Sequence, residues 1–341
     1  MGRTSPSPEL LKIAETMKSM GKYARARVET VISHSGKEFP LHSLSLGTED
    51  PEAPVLGLVG GVHGLEAIGT DVVLSYLSSL AERLQWDESL IRDLEKVRII
   101  AIPQLNPVGM HLERRSNGNH VDLMRNSPID AGKSASFLIG GHRISKILPW
   151  YRGSENGEME LESKVLCEFI KREAFASRAS IVIDVHSGFG VRDRIWFPFA
   201  KSDEPFPSLP ELFTLKSLFD RSYPNHVYTI EPQARNYRTH GDLWDYLYLE
   251  HQKLNAGNVF LPLALEMGSW GWVKKNPRQL FSFLGLFNPL KPHRKRRILR
   301  RHLPIFDFFL KASLAHRKWS ELPEDVRHHR RVEALNLWYM T

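Results

Sequence analysis

Three apolar runs in this chain stop at a histidine or a glutamate, and a fourth stops in a polar loop. That repeated ending constrains the fold more than any other feature. In "LGLVGGVHGLEAIGTDVVLSYL", Leu56, Leu58 and Val59 read as a buried strand that Gly60 and Gly61 break. Asp71, Val72, Val73, Leu74, Tyr76 and Leu77 then recur at helical spacing. His63 and Glu66 therefore sit where a strand hands over to a helix. In open α/β sheets, ligands bind at that carboxyl end of a strand.

The remaining elements follow from the same reading. A helix is expected over residues 8–20, and "RVETVISHSGKEFPLHSLSLG" reads as two strands around the turn Ser35-Gly36-Lys37. A helix over about residues 66–84 follows, then an apolar strand in "VRIIAIPQLNP" and a helix in "EMELESKVLCEFIKREAF". "ASIVIDVHSG" and "NVFLPLALEMGSWGW" are buried strands that reach His186 and Glu266, and "RIWFPFA" and "HVYTIEP" are shorter strands. Strands separated by helices predict an α/β fold whose mixed, largely parallel central sheet is flanked by helices. The apolar share of 42% is enough for a sizeable core. Disorder is expected only in the leading "MGRTSPSP".

Composition shifts near Pro289–Pro292, which divides the chain into residues 1–290 and a basic helical extension over residues 291–341. The extension holds 13 Lys/Arg against 5 Asp/Glu, so the charge of +7 resides there and the body is close to neutral. A basic cluster at residues 291–301 suits contact with nucleic acid or an acidic membrane surface. The favoured reading is a solvated helix with its apolar face on the body. His328 and His329 lack ligand-like partners and are expected in solvent. The single cysteine, Cys167, excludes an intrachain disulfide and sits in an amphipathic helix pattern, where a packed thiol is expected. With no apolar leader in residues 1–30 and no run of membrane-spanning length, a cytoplasmic location is expected.

The strand ends carry a specific chemistry. Two imidazoles (His63, His186) and one carboxylate (Glu66) suit a catalytic zinc with an open fourth position. Such a metal polarises a carbonyl and acidifies water, so a further carboxylate must take the proton. Glu266 is the candidate general base, and Arg115 can supply a fixed cation for an oxyanion. Arg114, Arg115 and Arg125 also admit a plain reading as surface charges. Asp184 is expected to point away from the site, on the reasoning that strand alternation separates it from His186.

In order, these segments resemble the zinc carboxypeptidase family, the carboxypeptidase A-like metallopeptidases of peptidase family M14, over roughly residues 50–275. "HGLE" resembles the paired ligand motif, with His63 and Glu66. "NPVGMHLERRSNGNHVDLMRN" resembles the family's Asn-Pro-Asp-Gly block and its Arg-x-Asn…Asp-Leu-Asn-Arg-Asn block. "DVHSG" resembles the third-ligand strand and "LALEMGS" the general-base strand. The resemblance implies one Zn2+ per chain and makes residues 1–290 the catalytic domain. It implies that Arg115 polarises the scissile carbonyl and that Asp122 hydrogen-bonds a ligand histidine, fixing its tautomer. It implies that Arg125 grips a terminal carboxylate with its two-point guanidinium fork. "NYRTHGDLWDYLY" resembles the loop with the mobile active-site tyrosine, which places Tyr237 at the substrate and Trp244 in the wall of the side-chain pocket.

Two positions depart from the pattern. Met124 replaces the asparagine before the carboxylate-binding arginine, and methionine cannot donate that hydrogen bond. Val108 replaces the aspartate of Asn-Pro-Asp-Gly. The expected activity is a zinc metallocarboxypeptidase that hydrolyses a C-terminal amide bond of a peptide. The close alternative is a related deacylase or amidase, acting on acyl-amino acids or on cell-wall or γ-linked peptides. A non-catalytic binding protein working through its basic tail ranks last.

Overall fold

The computed structural model describes residues 8–155 and 157–340. Most of "MGRTSPSP", expected to be disordered, lies outside them; Pro8 opens the first helix. In chain order the strands are β1 (Ala24–His34), β2 (Lys37–Gly47), β3 (Val55–Gly60), β4 (Arg98–Ile102), β5 (Ala179–Ser187), β6 (Arg194–Phe197), β7 (Thr229–Pro232) and β8 (Val259–Met267). The helices are α1 (Pro8–Met20), α2 (Ala67–Arg83), α3 (Glu88–Leu94), α4 (Pro107–His111), α5 (Leu161–Ala174), α6 (Leu209–Ser222), α7 (Leu243–Asn255), α8 (Trp270–Lys275), α9 (Pro292–Leu314), α10 (Arg317–Ser320) and α11 (Glu324–Trp338).

All eight strands form one sheet in the order β1-β2-β4-β3-β5-β8-β6-β7. The central strands β4, β3, β5 and β8 run parallel. Their residues are buried almost without interruption, as strands covered on both faces must be. Antiparallel pairings flank this centre: β1 on β2, β2 on β4, and β6 on β8. The β1–β2 hairpin turns through Ser35 and Gly36, both at positive φ, which suits the twist of a tight hairpin. From β3 the chain crosses to β4 on one side, whereas β5 pairs on the other. The carboxyl end of β3 is thus a topological switch point, where a cleft opens.

Helices α2 and α9 pack on each other and over β3 and β5, while α5 packs on α7 and α7 on β8. The apolar face of α9 lies on the body, as the favoured reading has it. Ile298, Ile305, Phe306 and Phe309 join the same hydrophobic core as Leu56 and Ile181. Phe306 meets the ring of Tyr76 at 5.2 Å. Cys167 is a buried free thiol. Burial pushes its pKa up to about 12, so it packs as an apolar group.

Candidate metal centre and hydrolytic cavity

The turn between β3 and α2 and the first turn of that helix are shaped for close approach. A Cβ on Gly64 would lie 2.0 Å from the Gly109 carbonyl carbon. A Cβ on Gly69 would lie 2.3 Å from the Val185 carbonyl oxygen. Only glycine lets this turn press against α4 on one side and against β5, one residue before His186, on the other. The result brings His63, Glu66 and His186 together from two distant segments. One ligand atom of each lies within 4.8 Å of the others, and all three residues are buried.

Glu66 is the centre of this cluster. Its Oε1 lies 2.9 Å from His63 Nδ1, and its Oε2 lies 3.2 Å from His186 Nδ1. The Ser187 amide also donates to Oε2, at 2.9 Å. Burial alone would raise the pKa of Glu66. The two imidazoles and their hydrogen bonds outweigh that and hold it far below the usual carboxylate range. Both outer ring nitrogens are committed elsewhere. His63 Nε2 donates to Asp122 Oδ1 at 3.2 Å, and His186 Nε2 donates to Asp184 Oδ2 at 2.7 Å. The two Nδ1 atoms and the Glu66 carboxylate are therefore a donor set turned toward one point. Two imidazole nitrogens, one carboxylate and no thiolate fit a catalytic zinc site.

Asp122 holds its position through the loop that Asn117 closes. Asn117 Oδ1 accepts from the amides of Asn119 and Val121, and its Nδ2 donates to Glu160 and Glu162. The loop aims Arg115 at the cluster. Arg115 Nε donates to Asp122 Oδ2 at 2.7 Å, and its Nη1 reaches Glu66 Oε1 at 3.4 Å. Burial would lower the pKa of Arg115, but Asp122 and Glu66 together raise it, so it stays charged. Its side chain is still 22% exposed, enough to meet a ligand. Asp122 is held well below its usual range, because Arg115 and His63 outweigh its burial.

Glu266 follows from register. It pairs with His186 across β5 and β8, so both strand ends reach the same cavity. Its Oε2 is buried without a hydrogen-bond partner among the described residues. Burial pushes its pKa up to about 8; Glu66 adds to this, and His186 and Arg115 oppose it. An unpartnered carboxylate of raised basicity beside the donor set is placed to accept a proton.

The cavity has a volume of about 630 Å³ and is lined by His63, Arg115, Asp122, Arg125, His186, Tyr237 and Glu266, among others. Arg114 and Lys146 also line it, adding two further cations. Arg125 is almost wholly buried. Its Nη1 donates to the Met124 carbonyl, its Nε and Nη2 to that of Ile139, and its guanidinium lies 5.8 Å from the Tyr237 ring centre. Tyr237 packs against Phe189 and Trp196, each at 5.7 Å. Burial raises its pKa, so the phenol remains protonated. Met124, which stands where the family pattern has an asparagine, also lines the cavity.

Two expectations are corrected. Trp244 does not line the cavity: it is buried in the core, and its ring N–H donates to Asp184 Oδ2 at 2.9 Å. The indole stands behind His186, held by the same carboxylate that holds the imidazole. Asp184 does not point away, because it is two residues from His186 and strand alternation puts residues i and i+2 on one face. The aromatic wall that Trp244 was expected to supply comes from Trp196 on β6. Trp196 pairs with Ala264, two residues before Glu266, and both line the cavity. The Trp196 ring N–H has no hydrogen-bond partner among the described residues. The run "RIWFPFA" signalled the strand but not its antiparallel place beside β8.

Comparison with known proteins follows the same lines. The family model for zinc carboxypeptidase matches residues 13–264. The chain is 27% identical to the carboxypeptidase N catalytic chain of Rattus norvegicus over 253 residues, which cover 70% of this chain and 50% of that protein. It is 30% identical to carboxypeptidase SOL1 of Arabidopsis thaliana over 100 residues, covering 28% of this chain and 20% of that protein. The chain thus spans half or less of the length of these relatives. Among solved structures, thrombin activatable fibrinolysis inhibitor superposes with a TM-score of 0.64 at 18% identity, covering 91% of this chain and 73% of that one. Carboxypeptidase A from Helicoverpa armigera gives 0.61 at 17% identity, covering 92% and 72%. At these identities the structural likeness is one of fold.

Proposed function

The chain belongs to the zinc carboxypeptidase family, and from that premise we propose that it is a zinc metallocarboxypeptidase hydrolysing the amide bond next to a terminal carboxylate. The observation that carries this reading is one cavity lined by His63, His186 and Glu266, with Glu66 hydrogen-bonded between the two imidazoles and Glu266 Oε2 without a partner among the described residues. When bound to that set, zinc supplies Lewis acidity toward a carbonyl and toward water.

The side chains then divide the work. Ionised Glu266 takes a proton from the attacking water and passes it to the leaving nitrogen, so water and amide become acid and amine. Arg115, fixed by Asp122, meets the negative charge that grows on the carbonyl oxygen. Asp122 and Asp184 keep each imidazole turned with Nδ1 inward. Arg125 and its neighbouring cations attract the terminal carboxylate, and Tyr237 stands beside it. The wall of Phe189, Trp196, Met124 and Ala264 carries no acid, which favours an apolar or aromatic side chain over a basic one.

A second reading, a deacylase or amidase with the same centre, draws support from Met124. The guanidinium beside it already donates to two backbone carbonyls, which leaves fewer donors for a substrate carboxylate. Paired peptides ending in a free acid or an amide separate the two. The carboxypeptidase reading expects the free acid to be cleaved at least tenfold faster, with Glu266→Gln abolishing hydrolysis of both. Equal rates would transfer the function to the second reading.

A further inference from the structure

Residues 267–306 contain ten Lys/Arg and no Asp or Glu. They form α8, two single turns over Pro277–Phe281 and Phe283–Leu286, and the first half of α9. These pieces make one surface. Arg294 on α9 donates to the Trp272 and Lys275 carbonyls at 3.1 and 3.0 Å, and α8 packs on both turns. Lys295 pairs with Asp71 and Arg301 with Asp193. Lys274, Lys275, Arg278, Lys291, Arg296 and Arg297 are exposed and form no ion pair among the described residues.

Large apolar side chains stand in solvent among these cations. Trp270 is 59% exposed, Leu280 60% and Phe281 94%. A helix that is merely solvated has no need of a phenylalanine held in water. The surface also adjoins the cavity. The Trp270 ring N–H donates to the Gly188 carbonyl at 3.0 Å, and both Gly188 and Phe287 line the cavity.

Interleaved cations and aromatic tips fit the boundary between phospholipid headgroups and acyl chains. The cations meet acidic headgroups there, and the rings enter the apolar edge. A nucleic acid backbone would engage the cations and leave Leu280 and Phe281 idle. No described helix is long and apolar enough to cross a membrane, so the contact would be with its surface. We propose that α8, the two turns after it and the start of α9 form a docking surface for membranes containing anionic phospholipid, setting the cavity mouth close to the lipid.

The test is sedimentation of the full-length, zinc-loaded protein with phosphatidylcholine vesicles, with and without phosphatidylglycerol. Binding is expected only with the anionic lipid, weakening as salt rises. The double variant Leu280→Ser/Phe281→Ser should lose at least tenfold in binding. Lys274→Glu/Arg278→Glu should lose more, since each cation near the surface is worth about fivefold. All four side chains are exposed, so melting temperatures matching the parent would separate lost binding from lost fold. Failure to bind anionic vesicles overturns the proposal. So does binding indifferent to the serine substitutions, and duplex DNA competing with vesicles for such binding would reassign the surface to nucleic acid.

Discussion

The two imidazoles of the candidate metal centre are held in the same way by differently built surroundings. His63 leans on Asp122, whose other oxygen takes the Arg115 guanidinium at the cavity edge. His186 leans on Asp184, whose same oxygen takes the neutral indole of Trp244 in the core. The first arrangement spans the long loop after α4, and its charge is balanced by an arginine that also lines the cavity. The second is laid along one strand and braced by a helix, and Asp184 Oδ1 has no partner among the described residues. On the proposed function, one side would couple metal holding to catalysis and the other would serve metal holding alone.

That contrast makes Asp122→Asn the most damaging of the supporting changes. It should lower zinc affinity about 10–100-fold and lower kcat as well, because Arg115 loses its anchor. Competition with a chelator and steady-state kinetics at saturating zinc read the two effects separately. If kcat is unaffected once zinc saturates, the coupling on that side does not exist. Asp184→Asn should cost about the same 10–100-fold in zinc affinity yet leave kcat nearly intact at saturation. A large kcat defect there would erase the distinction.

Trp244→Phe should be milder. It removes one hydrogen bond to a buried carboxylate, costing about 1–3 kcal/mol of folding stability by urea denaturation, with a smaller loss of zinc affinity than Asp184→Asn. A change in peptide side-chain preference in this variant would instead return Trp244 to the cavity wall. The smallest effect is in pH dependence. Burial would lower the pKa of His186, but Asp184 and Glu66 raise it well above the usual value. Zinc must displace that proton, so affinity should rise with pH until His186 is neutral in the free protein. Asp184→Asn should move the rise to lower pH, and an unshifted affinity profile would show that Asp184 does not govern His186.

Much of this was legible in the sequence because it is local. Glycines after an apolar run mark the end of β3, and His63 and Glu66 share one turn. Asp122 was found only through the ordered resemblance, since a hydrogen bond from a loop residue leaves no periodic signal. Trp244 was misplaced because register along a loop cannot tell which neighbouring strand receives an indole. Trp196 was missed because its place depends on β6 pairing antiparallel with β8, a contact between segments some 70 residues apart. Asp184 was misread by a strand rule applied one residue out of step.

Zinc content per chain after exhaustive dialysis, measured for the parent, Glu266→Gln and His186→Ala, tests the centre most directly. The parent and Glu266→Gln should each retain one equivalent, and His186→Ala should retain almost none. A parent that holds no zinc, or a His186→Ala protein that still holds a full equivalent, would contradict the assignment.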